Sequence, residues 1–336
     1  MAQRTIRKTD LRKLVDAVRR DGRFYGPVKA DEGEALSESF NPDDGASLNY
    51  YNFKLPAKRL FFPHTEVICT YDGETMTDVP LPEEKMVVFG MRPCDALSLV
   101  YLDKVFLDEE FADPYYRRRR ENAVIISLAC NDPLDTCFCT SVKGSPAGTE
   151  GADVLAFDLG ESLLFETVSE KGEALVEAHA ALFKEPTAQE TEARAKVAAA
   201  AEKEVPQLDV AGLAEKLQQI FDSPIWGAIS ERCLGCGVCT HFCPTCHCFG
   251  LHDEKAGPGG RRIRVQDCCV FPAFTAEASG HNPRPSNAER MRQRIMHKFR
   301  YAVENFGDTF CVGCARCITN CPVNMDLRET LAEVMK

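Results

Sequence analysis

The sequence predicts an α/β domain followed by a smaller domain of helices and loops. Strand-like and helix-like segments alternate through the first half of the chain, whereas most of its 17 cysteines follow residue 225. We therefore expect an α/β domain over 1–185, a helical linker over 186–225 and a cysteine-rich domain over 226–336.

The expected α/β elements begin with an amphipathic helix over 9–22. Its apolar side chains recur at the i, i+3, i+4, i+7 spacing of one helix face: Leu11, Leu14, Val15 and Val18. A second helix is expected over 96–106, with Asp95 placed to cap it. Short apolar or β-branched segments predict strands at 66–71, 86–90, 122–128, 153–157 and 163–168.

The predicted linker has a different composition. Residues 186–204 are rich in Ala, Glu and Lys, which indicates a solvent-exposed helix or a hinge. A helix over 210–221 then leads to Trp226 and the cysteine-rich domain.

Two cysteine runs dominate that domain. They read Cys233-Leu-Gly-Cys236-Gly-Val-Cys239-Thr-His-Phe-Cys243-Pro244 and Cys311-Val-Gly-Cys314-Ala-Arg-Cys317-Ile-Thr-Asn-Cys321-Pro322. Both have the C-x2-C-x2-C-x3-C-P spacing with which bacterial ferredoxins bind [4Fe–4S] clusters. In two-cluster ferredoxins the fourth cysteine of a run ligates the other cluster. The expected ligand sets are Cys233, Cys236, Cys239 and Cys321 for one cluster, and Cys311, Cys314, Cys317 and Cys243 for the other.

Glycines inside these runs support the cluster interpretation. Gly235, Gly237 and Gly313 permit the tight turns that bring backbone N–H groups toward the cluster sulfurs. Structural zinc and a disulfide framework are the alternatives, but zinc sites commonly use two separated cysteine pairs. The sequence therefore predicts a ferredoxin-like domain that carries two [4Fe–4S] clusters.

Four further cysteines form a second constellation in the α/β domain. They are Cys94, Cys130, Cys137 and Cys139. Because Cys94 and Cys130 follow predicted strands, and open α/β sheets place sites at the carboxyl ends of strands, the four thiols could meet. Alternate residues of an extended chain also face the same way, which favours a shared role for Cys137 and Cys139. A third iron–sulfur cluster is the preferred interpretation; zinc and unmetallated buried thiols are the alternatives.

The insertion between the two runs contains four more cysteines: Cys246, Cys248, Cys268 and Cys269. Packing beside the clusters is the preferred interpretation, with another cofactor or a redox-active dithiol as alternatives. A basic stretch follows them, formed by Arg290, Arg292, Arg294, Lys298 and Arg300. It is typical of a solvated helix face; a docking surface for an acidic partner and compensation of cluster charge are the alternatives.

Composition excludes several classes of function. A net charge of −11 argues against nucleic acid as the main partner. We expect a cytoplasmic protein, because no apolar run could span a bilayer and no secretory signal is evident. The sequence shows neither a phosphate-binding glycine motif nor a Ser/His/Asp or Cys/His arrangement, so we assign no catalytic residue. These features indicate an electron carrier.

The sequence resembles a family of iron–sulfur proteins that groups the beta subunit of sulfhydrogenases with the corresponding iron–sulfur component of anaerobic sulfite reductases. Similar proteins accompany heterodisulfide-reductase-linked flavin complexes. The matching segments are KRLFFP at 58–63 with Glu66, GMRPCD at 90–95, DPYY at 113–116, CFC at 137–139, CPTCHCF at 243–249, GHNPRP at 280–285, RIMHKF at 294–299 and the second cysteine run. Where the family pattern leads us to expect Asp-Ser-Cys, this chain has Asp267-Cys268-Cys269.

The resemblance implies a relay subunit. In the family, a flavoprotein of the ferredoxin–NADP reductase type oxidises NAD(P)H, and the beta-type subunit passes the electrons to a catalytic partner. That partner is a heterodisulfide-reductase-like enzyme, a sulfite reductase or a NiFe hydrogenase. The alternatives are a thiol/disulfide-active reductase that uses the insertion cysteines, and a free ferredoxin-like carrier.

Overall fold

The structure is a computed structural model that describes residues 2–31, 33–44, 48 and 50–336. The strands are β1 (Gln3–Arg7), β2 (Arg23–Ala30), β3 (Gly33–Ser37), β4 (Thr65–Asp72), β5 (Thr75–Asp78), β6 (Met86–Met91), β7 (Ala123–Leu128), β8 (Val154–Asp158), β9 (Ser162–Thr167), β10 (Phe249–Ala256) and β11 (Gly259–Gln266). The helices are α1 (Leu11–Val18), α2 (Pro93–Phe106), α3 (Pro114–Asn122), α4 (Glu170–Ala178), α5 (Ala188–Glu204), α6 (Leu213–Gln219), α7 (Ile225–Ser230), α8 (Val238–His241), α9 (Asn287–Met296), α10 (Ala302–Phe306), α11 (Arg316–Thr319) and α12 (Leu327–Met335). A π-helical turn, His297–Tyr301, joins α9 to α10.

The chain forms two compact units. The first contains Met1–Ala57, Pro82–Gln207 and Val312–Ala315, and the second contains Lys58–Leu81, Leu208–Cys311 and Arg316–Lys336. These units are interleaved along the sequence, whereas the predicted domains are contiguous. Pairing of β4 with β11 explains why an early segment belongs to the second unit.

The first unit is an α/β domain, as the sequence predicts. Its sheet has the order β1-β9-β8-β7-β6-β2-β3. The central pairs β2–β6, β6–β7 and β7–β8 are parallel, and the outer pairs are antiparallel. Every residue of β6 is buried, as expected for a central parallel strand covered on both faces. The carboxyl ends of β6 and β7 consequently lie side by side.

Two helices of this unit test the sequence predictions directly. Helix α1 buries all four residues of the predicted apolar stripe. Helix α2 begins at Pro93, three residues before the predicted start. The prediction that Asp95 caps this helix is therefore wrong. Proline suits the first helical position because its fixed φ is already helical and its missing N–H needs no partner. Asp95 is buried in the first turn instead.

Helix α5 corresponds to the predicted exposed segment. Thr187 and Glu190 form a capping box at its start. Ala201 is its buried residue, so most of the helix surface contacts solvent. It belongs to the first unit rather than to a separate linker.

The second unit combines an antiparallel sheet with short helices. The sheet has the order β10-β11-β4-β5. The hairpin β10–β11 pairs without a break from Phe249 opposite Gln266 to Ala256 opposite Gly259. A buried ion pair between Arg264 and Glu66, at 2.5 Å, fixes β11 against β4.

Across the part of the chain that the structure describes, no helix combines the length and apolar character that a bilayer-spanning helix requires.

Candidate metal centres

The first candidate site is a cavity in the second unit. The four cysteines predicted to share one cluster all line it, together with Cys317: Cys233, Cys236, Cys239 and Cys321. Its other lining residues are mainly apolar side chains and glycines, among them Val270, Ile295 and Leu327. Soft thiolate donors in an apolar enclosure fit an iron–sulfur cluster.

Backbone geometry at this cavity follows from the glycines. Gly235 and Gly237 have φ of +66° and +78°, values that side-chain-bearing residues rarely adopt. The Gly235 N–H donates to Cys233 Sγ at 3.4 Å, and the Met325 N–H donates to Cys321 Sγ at 3.3 Å. Such N–H groups stabilise negative charge on sulfur.

The second predicted ligand set divides between the units. Cys243, Cys311 and Cys317 belong to the second unit, whereas Cys314 belongs to the first. In the second unit, Lys298 Nζ donates to Cys243 Sγ at 3.1 Å and to Thr245 Oγ1 at 2.9 Å.

The basic stretch is not a solvated helix face, so that prediction is wrong for three of its members. Arg290, Arg294 and Lys298 are 6%, 4% and 3% exposed. They recur every four residues and so share one helix face, which is turned inward. The Lys58 amine, whose pKa burial lowers, also lies in this unit and donates to the Cys246 carbonyl oxygen at 2.5 Å. Sequence periodicity reveals the shared face but not the direction in which it points.

These cations interact with the cysteines. Burial by itself would lower the pKa of Lys298. The electrostatic attraction of the Cys243 and Cys246 sulfurs is larger than this effect, so the pKa of Lys298 is raised above its usual value. Burial likewise opposes the charged form of Arg294, whose pKa is nevertheless raised by Cys239 and Cys317. Positive charge is therefore maintained beside the sulfur atoms, as compensation of cluster charge requires.

A second cavity lies in the first unit, where the sequence places the third constellation. The structure brings its four cysteines together around this cavity: Cys94, Cys130, Cys137 and Cys139. Gly313 and Cys314 line it as well. The Phe138 N–H donates to the Gly313 carbonyl oxygen at 3.0 Å, and Asn52 Nδ2 donates to the Cys314 carbonyl oxygen at 3.0 Å. Nothing in the sequence signals that the last cysteine run reaches this cavity.

The chemistry of this cavity suits a thiophilic metal group. Burial and then Cys314 raise the pKa of Cys137 to about 12, and burial and then Cys130 raise the pKa of Cys139 to about 12. Bound metal would stabilise the thiolates that burial disfavours. Within the described ranges, no three Cys, His, Asp or Glu side chains form a group that could hold a single metal ion.

Arg92 organises the same cavity and was not identified as a site residue from the sequence. Its guanidinium is buried and donates to the carbonyl oxygens of Leu128 at 3.3 Å and Ala129 at 2.6 Å, at the end of β7. It also donates to the Tyr51 carbonyl oxygen at 3.1 Å. The Arg92-Pro93-Cys94 sequence was the available signal, because an arginine two residues before a site cysteine can fix the loops around it.

Gly313 provides a test of this packing. Its φ is +60°, and an added Cβ would lie 2.6 Å from Cys139 Cα. We expect Gly313→Ala to lower the free energy of unfolding by about 3 kcal/mol, from backbone strain plus the clash. Gly307→Ala is the matched control, because Gly307 has φ of +74° but no atom within 4 Å of an added Cβ. It should lose only about 1 kcal/mol in the same denaturant titration, and equal losses would contradict the close approach.

Three of the four insertion cysteines interact with another cysteine of the second unit, one of them with Cys243 of the first cysteine run. Cys243 interacts with Cys246, and Cys248 interacts with Cys269. The hydrogen bond from Cys248 lowers the pKa of Cys269 to about 6. Cys268 is fully buried and lies 3.8 Å from the Gly237 carbonyl oxygen.

Comparison with known proteins agrees with this geometry. Residues 232–325 match the family described as a 4Fe-4S dicluster domain. The chain is also 34% identical over 322 residues to sulfhydrogenase 2 subunit beta of Pyrococcus furiosus. The aligned segment covers 93% of this chain and 92% of the relative.

The fold and these sites define an iron–sulfur protein of electron transport, in which an α/β domain is joined to a 4Fe–4S dicluster domain. The chain belongs to the iron–sulfur subunit family that includes the sulfhydrogenase beta subunits. The resemblance inferred from the sequence is thereby confirmed.

Proposed function

We propose that this chain relays electrons between an NAD(P)H-oxidising flavoprotein and a catalytic partner. The observation that carries the proposal is the cavity lined by Cys233, Cys236, Cys239 and Cys321 in a domain of dicluster type. We assign one [4Fe–4S] cluster to these residues. A second is assigned to Cys243, Cys311, Cys314 and Cys317.

We further propose a third [4Fe–4S] cluster on Cys94, Cys130, Cys137 and Cys139. All four thiols line one cavity, and Arg92, two residues before Cys94, donates a hydrogen bond to the carbonyl oxygen of Ala129, directly before Cys130. Clusters would supply one-electron transfer; the protein's own residues enclose them, donate hydrogen bonds to their sulfur ligands and balance their charge.

Access to the first site supports an exchange of electrons with a partner. Cys236 is exposed, and the neighbouring Leu234 is 67% exposed. A protein docked there could approach the cluster closely, whereas Cys239, further along the run, is half-buried. An electron-relay site needs one side of the cluster accessible to the partner and the other side less exposed to solvent.

The division of labour between subunits is also part of the proposal. The sequence contains no phosphate-binding glycine motif, so NAD(P)H oxidation is assigned to a separate flavoprotein of the ferredoxin–NADP reductase type. The relative from Pyrococcus furiosus is named as a sulfhydrogenase subunit. A hydrogenase, a sulfite reductase or a heterodisulfide-reductase-like enzyme is accordingly the proposed catalytic partner.

Anaerobic affinity purification of the tagged chain from its native cells tests this assignment. We expect a flavoprotein and a catalytic subunit in fixed stoichiometry with it. In stopped-flow absorbance, NADH or NADPH should reduce the clusters of the isolated chain only after the flavoprotein is added. Direct reduction without a flavoprotein would contradict the proposal, and a chain that remains alone but exchanges electrons would be a free carrier.

Lys298 should set the potential of the second proposed cluster. The reduced cluster carries one more negative charge, so the ammonium at 3.1 Å from Cys243 Sγ stabilises the reduced form more strongly. A hydrogen bond to a charged group contributes about 1.5–3 kcal/mol, equivalent to about 65–130 mV for one electron. Lys298→Met should therefore shift one midpoint potential by about that amount in the negative direction.

EPR-monitored redox titration measures the shift. Lys298→Arg, which keeps the charge, should stay near the wild-type potential. Arg300→Met removes a cation from the same π-helical turn, where Arg300 pairs with Glu304, and is the matched control. Equal shifts for Lys298→Met and Arg300→Met would show a general charge effect and contradict the specific contact.

A further inference from the structure

The base of the β10–β11 hairpin brings two cysteines together. Pairing ends with Phe249 opposite Gln266. Beyond it, the Asp267 N–H donates to the Cys248 carbonyl oxygen at 2.9 Å. The two chain segments therefore stay adjacent past the hairpin, with Cys248 opposite Asp267 and Cys269 two residues further along the second segment.

The two side chains complete the contact. The Cys248 thiol interacts directly with the Cys269 sulfur. Cys269 is buried and Cys248 is half-buried, so one member of the pair is reachable from solvent. The adjacent Cys268 is directed elsewhere, toward the Gly237 carbonyl oxygen.

Neither cysteine is needed by the proposed clusters. The two cysteine runs supply eight thiols for two cubes, and the α/β domain supplies four more for the third proposed site. Pairwise contact at the base of an antiparallel hairpin, where backbone pairing holds both chains, suits a reversible disulfide. A metal would require more donors at the same point.

We propose that Cys248 and Cys269 form a reversible dithiol–disulfide couple whose oxidant is the disulfide of a small thiol. Cys248, the more accessible sulfur, passes its proton to Cys269 and attacks the external disulfide as the thiolate, and Cys269 then loses that proton and displaces the small thiol. Two S–H bonds break and one S–S bond forms in the protein. The two electrons and two protons pass to the external disulfide, which becomes two thiols.

The oxidised form would link the two ends of the hairpin covalently. The β10–β11 hairpin, residues 249–266, would then unfold locally less readily, because the covalent bond would hold its two strands together at the base. The bond would also lie next to Cys268, which contacts Gly237 in the first cysteine run. This inference goes beyond the relay function and does not depend on it.

Peptide mapping in glutathione buffers tests the couple. The anaerobic iron-loaded protein is equilibrated at increasing ratios of glutathione disulfide to glutathione, quenched in acid, alkylated and digested. We expect a cross-linked peptide containing Cys248 and Cys269, two hydrogen atoms lighter than its reduced components, that disappears when excess glutathione is added back. Hydrogen exchange of 249–266 should slow in the oxidised form.

Variants separate this pair from its neighbours. Cys248→Ala and Cys269→Ala should abolish the cross-link, whereas Cys268→Ala and Cys246→Ala should retain it. Full alkylation of both cysteines at every ratio would overturn the proposal, as would a cross-link to Cys268. So would loss of iron in Cys248→Ala or Cys269→Ala, because that would make these residues metal ligands. The wild-type map gives a result even if a variant fails to fold.

Discussion

Replacing Cys236 by Ala is expected to remove about four iron atoms per chain, because one [4Fe–4S] cluster loses a ligand. The second unit should also melt about 10 °C lower, since cluster binding and folding are coupled in a domain whose loops wrap around the ligands. Cys236 is exposed, so the lost side chain itself contributes little packing. Anaerobic iron and sulfide analysis, with circular dichroism melting, measures both effects.

Cys69→Ala is the matched control for that variant. Cys69 is buried on β4 of the same unit and belongs to none of the proposed sites. It should keep its full iron content and lose about 1–3 kcal/mol of stability through the small cavity it leaves. Unchanged iron and unchanged melting of Cys236→Ala would defeat the ligand assignment.

The second large expected effect is the loss of iron from the double variant Cys137→Ala/Cys139→Ala. It should lose about four iron atoms while both signals from the dicluster domain remain in EPR. The reason is that these two thiols line a cavity of the α/β domain. Unaltered iron content would show that this cavity binds no cluster and that the thiols are simply buried.

Much of the architecture could be predicted from local patterns. The apolar spacing of Leu11, Leu14 and Val15 indicates α1, and the apolar segment before Cys94 indicates β6. Cysteine spacing predicted a dicluster domain, which the family match over 232–325 confirms. The assignment of individual cysteines to clusters, and the third cluster, stay predictions.

Other features depend on long-range contacts that local patterns cannot encode. The segment 66–71 is a strand, as predicted, but β4 pairs with β11 almost 200 residues later. The inward direction of Arg294 and Lys298 depends on the thiols they face. Likewise, Gly313 contacts Cys139 only because the chain returns to the first unit at Val312–Ala315.

Metal analysis combined with a low-temperature EPR redox titration of the anaerobically purified wild-type chain tests most directly whether the cysteines bind iron–sulfur clusters. We predict a brown protein with about twelve iron and twelve sulfide per chain, and three sets of one-electron signals. About eight iron atoms would remove the third cluster and leave the relay intact. Colourless protein, or zinc in place of iron, would contradict the account as a whole.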